Sequence, residues 1–548
     1  MPPANDSAAD SLLRARTNTY RVAPKHVSKV ICHRLHNDEE QYLVRWKTSR
    51  DPLVPPGAIC SWHGLAELGA SLHHVQLYLE SIPAGRQVGT NDQPTIQGLK
   101  RKSPDSSDSD IAQSRPNYAA SVRKDTPFLS REASVISIGS SSSTATTSDV
   151  TSRNHEVYNG MLQRKEGKIL AKKSRDEGIV KRNAANLPDA PMLQAAARAT
   201  TAMAGQQIRI AFENKLGRLR NVRWENDVDN TAPSLDFTFV DNFILRPGVY
   251  RSDPDAHEGC QYPCRQHMGQ NIGCEYPRLC TCLEFAAVNE PELKRESEER
   301  YEQYLTEKHE NGYFVNTTDL PKRFPYQKPN KDNPHMPSKL QTFYLDQRYP
   351  IYECNINCNC GSVCKSRVVQ KGRKVPLVIF KTPNRGWGVK CDEELIRGEF
   401  IDTYIGEVIT NAEADLRESK AGKDKASYLY SLDKFVGDAE DLTPDTCYVV
   451  DGQFMGGPTR FINHSCEPNI RQYTVSYNKH DLRVYDLAFF AVEDVPAGTE
   501  LTFDYMDKDE EEEEDVLRQR AEAAADPNNE DKLPCNCGAK KCRGYLWV

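Results

Sequence analysis

The sequence lacks any apolar run of the about 20 residues that a membrane-spanning helix requires. Its N-terminal residues also lack the apolar core of a secretory signal peptide. Apolar residues make up only 38% of the 548 residues, and the mean hydropathy is −0.68. These features predict a soluble intracellular chain of several domains, part of which is disordered.

An excess of positive charge is also missing, because the net charge is −7 and the isoelectric point is near 6.1. A strong general affinity for DNA is therefore not expected. Cysteine, by contrast, is plentiful at 17 residues. In an intracellular chain, cysteines in this number are more often metal ligands than disulfides.

A small domain is predicted over residues 25–85, after a flexible start at residues 1–24. Residues 29–35 and 41–47 have the composition of two strands joined by a polar turn. Residues 65–79 carry apolar side chains at helical spacing. These are Leu65, Leu68, Leu72, Val75 and Leu79.

The run Tyr-Leu-Val-Arg-Trp-Lys at residues 42–47 resembles a strand of the chromodomain family. Chromodomains bind methyl-lysine in an aromatic cage through cation–π contacts. In this resemblance Trp46 matches one wall, while Lys25 and Ser49 occupy positions that are usually aromatic. The cage is thus depleted. The alternative is a small structural or protein-binding β-domain.

Residues 86–203 are predicted to form a disordered linker, because residues 140–148 contain only Ser, Thr and Ala. Residues 164–182 hold eight Lys/Arg against three acids. This basic tract is either solvated or serves in nuclear import or weak nucleic-acid contact.

Packed structure is expected again over residues 204–257, where residues 208–214 and 235–249 are rich in apolar and aromatic side chains.

Nine cysteines follow within residues 258–367. An odd number argues against a closed disulfide set, and nine thiolates can hold three tetrahedral zinc ions if three of them bridge. They are Cys260, Cys264, Cys274, Cys280, Cys282, Cys354, Cys358, Cys360 and Cys364. The 71 residues between Cys282 and Cys354 have the composition of a loop-like excursion. The block resembles the pre-SET zinc cluster of histone H3 lysine-9 methyltransferases. Separate zinc ribbons are the alternative.

Short strands and turns are predicted from residue 375 to 506, and Gly386-Trp387-Gly388 is predicted to be a turn that a ligand can approach. The runs at 400–410, 428–433, 460–469, 487–491 and 500–505 resemble SET-domain motifs in their family order. The chain is accordingly identified as a member of the SET-domain histone H3 lysine-9 methyltransferases of the fungal heterochromatin class. The resemblance implies a mainly β multidomain fold, with a threaded strand at Asn463 and His464. It also implies a SET domain over 368–506 and a post-SET segment over 533–548.

The resemblance also implies the residues of the site. S-adenosylmethionine would be surrounded by Gly386, Trp387, Gly388, Tyr428, Arg460, Asn463 and His464, and covered by Trp547. Tyr505, Tyr428 and His464 would be catalytic, and the tyrosine hydroxyls would orient the lysine amine. Phe503 would leave room for di- and trimethylation. Cys466, Cys535, Cys537 and Cys542 would bind a fourth zinc ion that folds the tail over the site.

The function implied is transfer of methyl groups to lysine 9 of histone H3 in heterochromatin, in the nucleus. The partners implied are nucleosomal histone H3 tails and other heterochromatin proteins. The alternatives are an inactive chromatin-binding scaffold and a methyltransferase for another lysine. Residues 507–532 form an acidic insert, since 507–515 hold eight acids and one lysine. It is either a solvated linker or a flap that attracts the basic histone tail or competes with it.

Overall fold

The computed structural model describes residues 22–47, 58–82, 162–165, 168–171, 180–182, 187–253, 259–260, 267–268, 271–272, 274, 276–311, 315–327, 338–362, 364–421, 428–477, 481–506, 522 and 533–547. The chain forms two compact units. The first comprises residues 1–71 and 78–202, and the second comprises residues 72–77 and 203–548.

The N-terminal elements form one antiparallel sheet with short helices. They are β1 (Val27–His36), β2 (Glu39–Trp46), β3 (Ala58–Gly64), α1 (Leu65–Leu68), α2 (Leu72–Glu80), β4 (Leu162–Lys165), β5 (Lys168–Ala171), β6 (Val180–Arg182) and α3 (Ala190–Ala196). The sheet order is β1-β2-β3-β4-β5-β6. Asn37 and Asp38 have positive φ angles of 52° and 62° and form the two-residue turn between β1 and β2.

The two strands and the helix predicted over 29–79 are confirmed, with one difference. The helix is broken by a 3-10 turn at Gly69–Ser71, so that α1 and α2 are separate. Trp46, proposed as a cage wall, is only 6% exposed, and its indole N–H donates to the Ser61 hydroxyl at 2.8 Å. Ser49 lies outside the described residues.

The prediction of a disordered linker over the whole of 86–203 is wrong in two places. Residues 162–165, 168–171 and 180–182 form the sheet strands β4, β5 and β6, and the C-terminal end of the segment is also structured. Helix α3 is capped by Asp189, whose side chain accepts from the backbone N–H of Met192 at 3.0 Å. Met192 and Leu187 pack into one apolar cluster with Cys32 and Leu43 of the sheet. Burial of these side chains attaches this stretch to the first unit. Residues 140–148 lie outside the described part of the chain.

The second unit begins with a helix and continues mainly as short strands. Its elements are α4 (Ala202–Leu216), β7 (Val222–Glu225), β8 (Thr238–Phe239), β9 (Ile244–Leu245), β10 (His267–Met268), β11 (Asn271–Ile272), α5 (Glu290–Glu296), α6 (Glu298–Asn311), α7 (Thr342–Gln347), β12 (Ile351–Tyr352), β13 (Leu377–Lys381), β14 (Trp387–Cys391), β15 (Phe400–Tyr404), β16 (Glu407–Thr410), α8 (Asn411–Ala421), β17 (Leu429–Ser431), β18 (Tyr448–Asp451), β19 (Met455–Gly456), β20 (Asn463–His464), β21 (Ile470–Ser476), β22 (Asp486–Ala491), β23 (Glu500–Phe503), β24 (Leu533–Pro534) and β25 (Tyr545–Trp547).

Three sheets of four or five strands each contain most of the strands of this unit. Their strand orders are β12-β21-β22-β15, β20-β23-β14-β13-β7 and β17-β18-β16-β9. The first sheet buries a core of side chains that includes Tyr344, Ile351, Val475 and Phe490. Helix α4 forms because Ala204, Ile208, Phe212 and Leu216 recur every four residues and are all buried. The mainly β character predicted for residues 375–506 is confirmed.

Two local predictions in this unit are wrong. The excursion between Cys282 and Cys354 is not loop-like, since it contains α5, α6 and α7 and a small core of Val288, Leu293, Tyr304 and Leu320. These few apolar residues are spread among charged ones, which hides the helical pattern. Gly386 alone lies in a turn, with φ +70°, whereas Trp387 and Gly388 begin strand β14. Within the described residues, no helix is long and apolar enough to cross a membrane.

Candidate active site and cysteine clusters

Strands β20 and β23 bring two sequence-predicted motifs side by side. They pair in parallel, with Asn463 opposite Thr502 and His464 opposite Phe503. The next residue extends the pairing, because the Ser465 N–H donates to the Phe503 carbonyl at 3.0 Å. Residues 460–469 and 500–505 therefore build one site.

The amide of Asn463 is held by the neighbouring strand. Its Nδ2 donates to the Trp387 carbonyl at 3.1 Å and to Glu500 Oε1 at 2.9 Å. Glu500 is in turn paired with Arg385. A Cβ on Gly388 would lie 2.8 Å from Glu500 Oε1, so a larger residue here would displace the carboxylate that holds Asn463. The Gly386 to Gly388 backbone and Asn463 thus come together as the motifs predict.

The backbone at Gly386 is open on one side. A Cβ built on this residue meets no atom within 4 Å, and its φ of +70° lies in the left-handed region. A ligand can therefore approach the main chain here without displacing a side chain.

Arg460 lies in an aromatic cluster, within 4.4 Å of the Phe237 ring and 4.3 Å of the Tyr428 ring. Its Nε donates to the Gly452 carbonyl at 2.9 Å and its Nη2 to the Gln453 carbonyl at 3.2 Å. The guanidinium is thus used within the protein, where it orients Tyr428 and holds a neighbouring loop.

Tyr505 lies next to Phe503 and near Tyr428, which the sequence analysis assigned together to the amine site. The Tyr505 hydroxyl donates to the Ile462 carbonyl at 2.8 Å, and the Phe503 ring lies 4.9 Å from the Tyr505 ring. Burial, with the nearby Tyr428, raises the pKa of Tyr505 well above its ordinary value. The phenol is therefore neutral near pH 7.

Tyr404 is a residue of this group that the sequence analysis did not single out. Its hydroxyl donates to the Tyr428 carbonyl at 2.7 Å, and its ring lies 6.0 Å from that of Tyr430. The only signal was its position inside the 400–410 motif.

His464 connects this site with the C-terminal cysteines. Its Nδ1 accepts from the Tyr505 backbone N–H at 3.2 Å, and its Nε2 lies 3.3 Å from Cys466 Sγ. Burial lowers the pKa of His464 to about 4, although Asp504 opposes the shift. The ring is therefore neutral, and acceptance at Nδ1 places the proton on Nε2, facing the sulfur.

The C-terminal cysteine cluster consists of Cys466, Cys535, Cys537 and Cys542, as predicted. Cys466 Sγ lies 4.0 Å from Cys535 Sγ and 3.9 Å from Cys542 Sγ. The ligand atoms of His464, Cys466, Cys535 and Cys537 all lie within 4.8 Å of one another. A tetrahedral zinc ion with Zn–S bonds of about 2.3 Å separates its sulfurs by about 3.8 Å, so the donor set fits zinc.

The tail is also attached by an ion pair that the sequence analysis missed. Arg543 Nη1 donates to both carboxylate oxygens of Asp504, at 2.9 and 2.7 Å. Asp504 Oδ1 lies 3.5 Å from His464 Nδ1. The tail closes on itself as the β24–β25 hairpin, in which Trp547 pairs with Leu533. The side chain of Trp547 lies outside the described structure, so its covering role stays a prediction.

The N-terminal cysteine cluster comprises Cys260, Cys274, Cys280, Cys282, Cys354, Cys358, Cys360 and Cys364 among the described residues, each at most 5% exposed. Cys264 lies outside the described residues. Sulfurs of the two halves approach closely, at 3.3 Å for Cys274–Cys354 and 3.1 Å for Cys282–Cys358. Both distances are far longer than the about 2.05 Å of a disulfide. A dense, buried set of thiols fits a shared metal cluster.

Positive charge lies next to this cluster. Arg367 Nη2 lies 3.7 Å from Cys360 Sγ, and Lys371 Nζ donates to the Cys364 carbonyl at 3.1 Å. Backbone N–H groups also point at sulfur, for example Cys260 N–H at 3.1 Å from Cys358 Sγ. These donors stabilise thiolates.

A cavity of about 370 Å³ opens beside Tyr505. Residues Leu429, Tyr430 and Ser431 of β17 line it, together with Gln472 of β21. Within the described sheet, β17 is an edge strand that pairs only with β18. The cavity therefore lies along a strand edge that a further strand can join.

Comparisons with known proteins agree with this arrangement. Residues 386–506 match the family model of the SET domain, and residues 215–367 match that of the Pre-SET motif, which makes the chain a SET-domain protein. "Histone-lysine N-methyltransferase, H3 lysine-9 specific KMT1" of Fusarium mangiferae is 36% identical over 326 residues, which cover 59% of this chain and 87% of the relative. The H3 lysine-9 specific enzyme dim-5 of Neurospora crassa is 37% identical over 328 residues, with the same two shares. The chain belongs to the family of SET-domain histone-lysine N-methyltransferases.

A solved structure of the Neurospora SET domain protein DIM-5 is 33% identical in sequence to this chain. The match covers 54% of this chain and 98% of the solved chain, with a TM-score of 0.41.

Proposed function

We propose that this protein transfers methyl groups from S-adenosylmethionine to lysine 9 of histone H3. The observation that carries the proposal is the pairing of β20 with β23 beside the C-terminal cysteine cluster. This pairing joins the proposed floor of the donor site, at Asn463 and His464, to the proposed wall of the amine channel, at Phe503 and Tyr505. Two relatives at 36% and 37% identity carry the name of this activity.

The methyl donor is proposed to bind along Gly386, Trp387 and Gly388, with Tyr428, Arg460, Asn463 and His464 around it and Trp547 over it. The open backbone face at Gly386 and the fixed amide of Asn463 support this assignment. When bound, S-adenosylmethionine supplies an electrophilic methyl carbon next to a sulfonium. The chain contributes positioning, because the glycines, the amide and the neutral histidine are fixed in advance.

The lysine amine must arrive neutral, although its ordinary pKa is about 10.4. An apolar, aromatic channel disfavours the ammonium form. Tyr505 is a neutral phenol whose hydroxyl proton is directed at Ile462, so its oxygen lone pairs can accept from the amine. We assign Tyr505 and Tyr428 to orienting the amine and add Tyr404, which holds Tyr428. The proton of the incoming ammonium leaves through water.

The histone tail is proposed to bind as an added strand at the edge of β17. The cavity of about 370 Å³ along Leu429, Tyr430 and Ser431 supports this placement. Backbone hydrogen bonds to an edge strand hold an extended peptide in register, and the lysine side chain would enter beside Tyr505.

Phe503 is proposed to permit di- and trimethylation. Its ring lies 4.9 Å from both Phe489 and Tyr505. A hydroxyl in place of its ring hydrogen would hold a water where further methyl groups must fit. We expect Phe503→Tyr to shift products toward monomethyl-lysine, as measured by mass spectrometry of a histone H3 peptide. An unchanged distribution of methyl states would refute this role.

Four zinc ions are proposed, three in the N-terminal cluster with Cys264 and one in the C-terminal cluster. Nine thiolates hold three ions when three of them bridge, and four cysteines hold one. The measurement is zinc content, which should be about four equivalents per chain.

The domain organisation is proposed as a chromodomain-like unit over 25–85 whose sheet is extended by β4, β5 and β6. A linker over 86–161 remains of the 86–203 first predicted, followed by a packing segment over 204–257 and the pre-SET, SET, acidic and post-SET segments at 258–367, 368–506, 507–532 and 533–548. The three-stranded antiparallel start followed by a helix supports the first of these. The burial of Trp46 and its hydrogen bond to Ser61 favour a structural or protein-binding role over methyl-lysine binding. The threading of the Asn463 strand stays a prediction.

Nuclear location in heterochromatin, with other heterochromatin proteins as partners, is proposed from the same relatives. The basic tract at 164–182 would add weak contact with nucleic acid. Its side chains lie outside the described structure.

Transfer of labelled methyl groups to recombinant histones tests the whole proposal. We expect incorporation into histone H3 that is lost when its lysine 9 is replaced by arginine. Incorporation that survives this replacement would assign another lysine. No incorporation into any histone would favour an inactive scaffold.

A further inference from the structure

Gln472 has a buried side-chain amide of which only the oxygen is hydrogen-bonded. The residue is only 5% exposed, and its Oε1 accepts from the Tyr430 hydroxyl at 2.9 Å. Its Nε2 is buried and has no hydrogen-bond partner among the residues the structure describes. A buried donor of this kind costs free energy unless a ligand or a water accepts from it.

The amide borders the proposed amine end of the site. Gln472, Tyr430 and Tyr505 all line the same cavity. Across the sheet, Gln472 of β21 stands opposite Phe489 of β22, whose ring lies 4.9 Å from that of Phe503. The free donor is therefore one packing layer away from the residue proposed to set the methyl number.

The amine changes its hydrogen bonds as methyl groups are added. Before the first transfer the neutral amine has two N–H groups to donate, before the second it has one, and before the third it has none. With the lone pair directed at the donor methyl, each added methyl group takes a position that a hydrogen-bond acceptor occupied before. A water at that position must then leave, and Gln472 Nε2 loses its partner.

We propose that Gln472, oriented by Tyr430, is a specificity-determining residue whose Nε2 holds a water beside the target amine and thereby slows the third methyl transfer. The inference rests on the proposed lysine methylation at this site. It predicts accumulation of the dimethyl product before the trimethyl product, despite the room left by Phe503. Tyr430 acts as a positioning residue, since its hydroxyl donates to the amide oxygen and so fixes the orientation of the amide.

The test uses the full zinc-loaded chain and histone H3 peptides with an unmodified, monomethylated or dimethylated lysine 9. Gln472→Met keeps the size of the side chain and removes the donor. We expect the single-turnover rate of the third transfer to rise about threefold to tenfold relative to the first, because no water is retained. Tyr430→Phe should change the same ratio in the same direction by a smaller factor, because the amide is released.

Val475→Ala is the matched control on the same strand. Val475 is fully buried in the large apolar core and is not among the residues that line the cavity. It should lower the melting temperature without changing the ratio of third to first transfer. A loss of packing in Gln472→Met would slow all transfers together, whereas the proposed role changes their ratio.

An unchanged ratio in Gln472→Met, in a chain that methylates the unmodified peptide normally, would overturn this inference and leave the proposed function standing. Failure of the unaltered chain to methylate any of the three peptides would overturn the proposed function and this inference together.

Discussion

The two cysteine clusters differ in their contact with water and in what surrounds them. Every described member of the N-terminal cluster is at most 5% exposed, whereas all four cysteines of the C-terminal cluster are only half-buried. The first joins residues 260–282 to residues 354–364, across the helical insert of α5, α6 and α7. The second joins Cys466 to the chain end, next to strand β20 of the active site.

The comparison indicates that similar ligand chemistry serves two purposes. Buried thiols that join distant segments replace an apolar core, so their metal ions contribute directly to folding. Half-exposed thiols beside His464 contribute less to the core, but they fix the position of the tail relative to Asn463 and Tyr505. We therefore expect stability to depend mainly on the first cluster and activity on the second.

The largest effect on stability is expected for Cys354→Ser. Cys354 is 1% exposed and lies 3.3 Å from Cys274 and 3.8 Å from Cys364. A structural zinc site supplies on the order of 10 kcal/mol, so its loss should leave the second unit unfolded or insoluble. Zinc content and thermal unfolding measure this. The matched control is Cys447→Ser, a buried cysteine outside both clusters, which should fold normally. A stable Cys354→Ser protein with full zinc content would remove the distinction between the clusters.

The next largest effect is on activity and is expected for Cys542→Ser. Its sulfur lies 3.9 Å from that of Cys466, and releasing it should free the tail from the site. We expect methyl transfer to fall at least about a hundredfold through lost positioning, with a small change in melting temperature. Lys541→Ser, at an exposed neighbouring side chain, should keep most of the activity. Normal turnover by Cys542→Ser would show that the tail cluster is not coupled to catalysis.

A smaller effect is expected for Asp504→Asn, which weakens the ion pair to Arg543 without touching a cysteine. The pair is mostly buried, at 20% and 13% side-chain exposure, and Asp504 also faces His464. We expect kcat/KM to fall about tenfold while zinc content stays constant. The control is Asp346→Asn, in an exposed pair with Arg397, which should change little. Equal effects of the two substitutions would mean that zinc alone positions the tail.

The C-terminal cluster was predicted from the resemblance to the family, in which Cys535, Cys537 and Cys542 match the post-SET segment and Cys466 follows the Asn463-His464 motif. It could not predict the pair of Arg543 with Asp504, which are 39 residues apart and carry no spacing signal. The same holds for Gln472 and Tyr430, which are 42 residues apart on different sheets. Such contacts arise from the packing of strands, and local patterns contain no information about them. Helices α5 and α6 were not predicted because their core consists of only four buried apolar side chains, which are spread among many charged residues in the sequence.

The smallest effect is expected from the acidic insert, residues 507–532, which lies between β23 and β24. Deleting residues 509–530 removes seven of the eight acids in 507–515 and shortens the connection from β23 to β24. If the segment is a solvated linker, KM for a histone tail peptide should change less than about twofold, since loop closure depends weakly on length. If it attracts the basic tail, KM should rise, and the rise should disappear at high salt. If it competes with the tail, KM should fall instead.

A variant of equal length, with serines in place of the acids at 509–515, separates the effect of charge from that of tether length. An effect of charge on KM persists in this variant, whereas an effect of length does not. A loss of zinc or of all activity in that variant would contradict the view that the cysteines and Arg543 alone hold the tail.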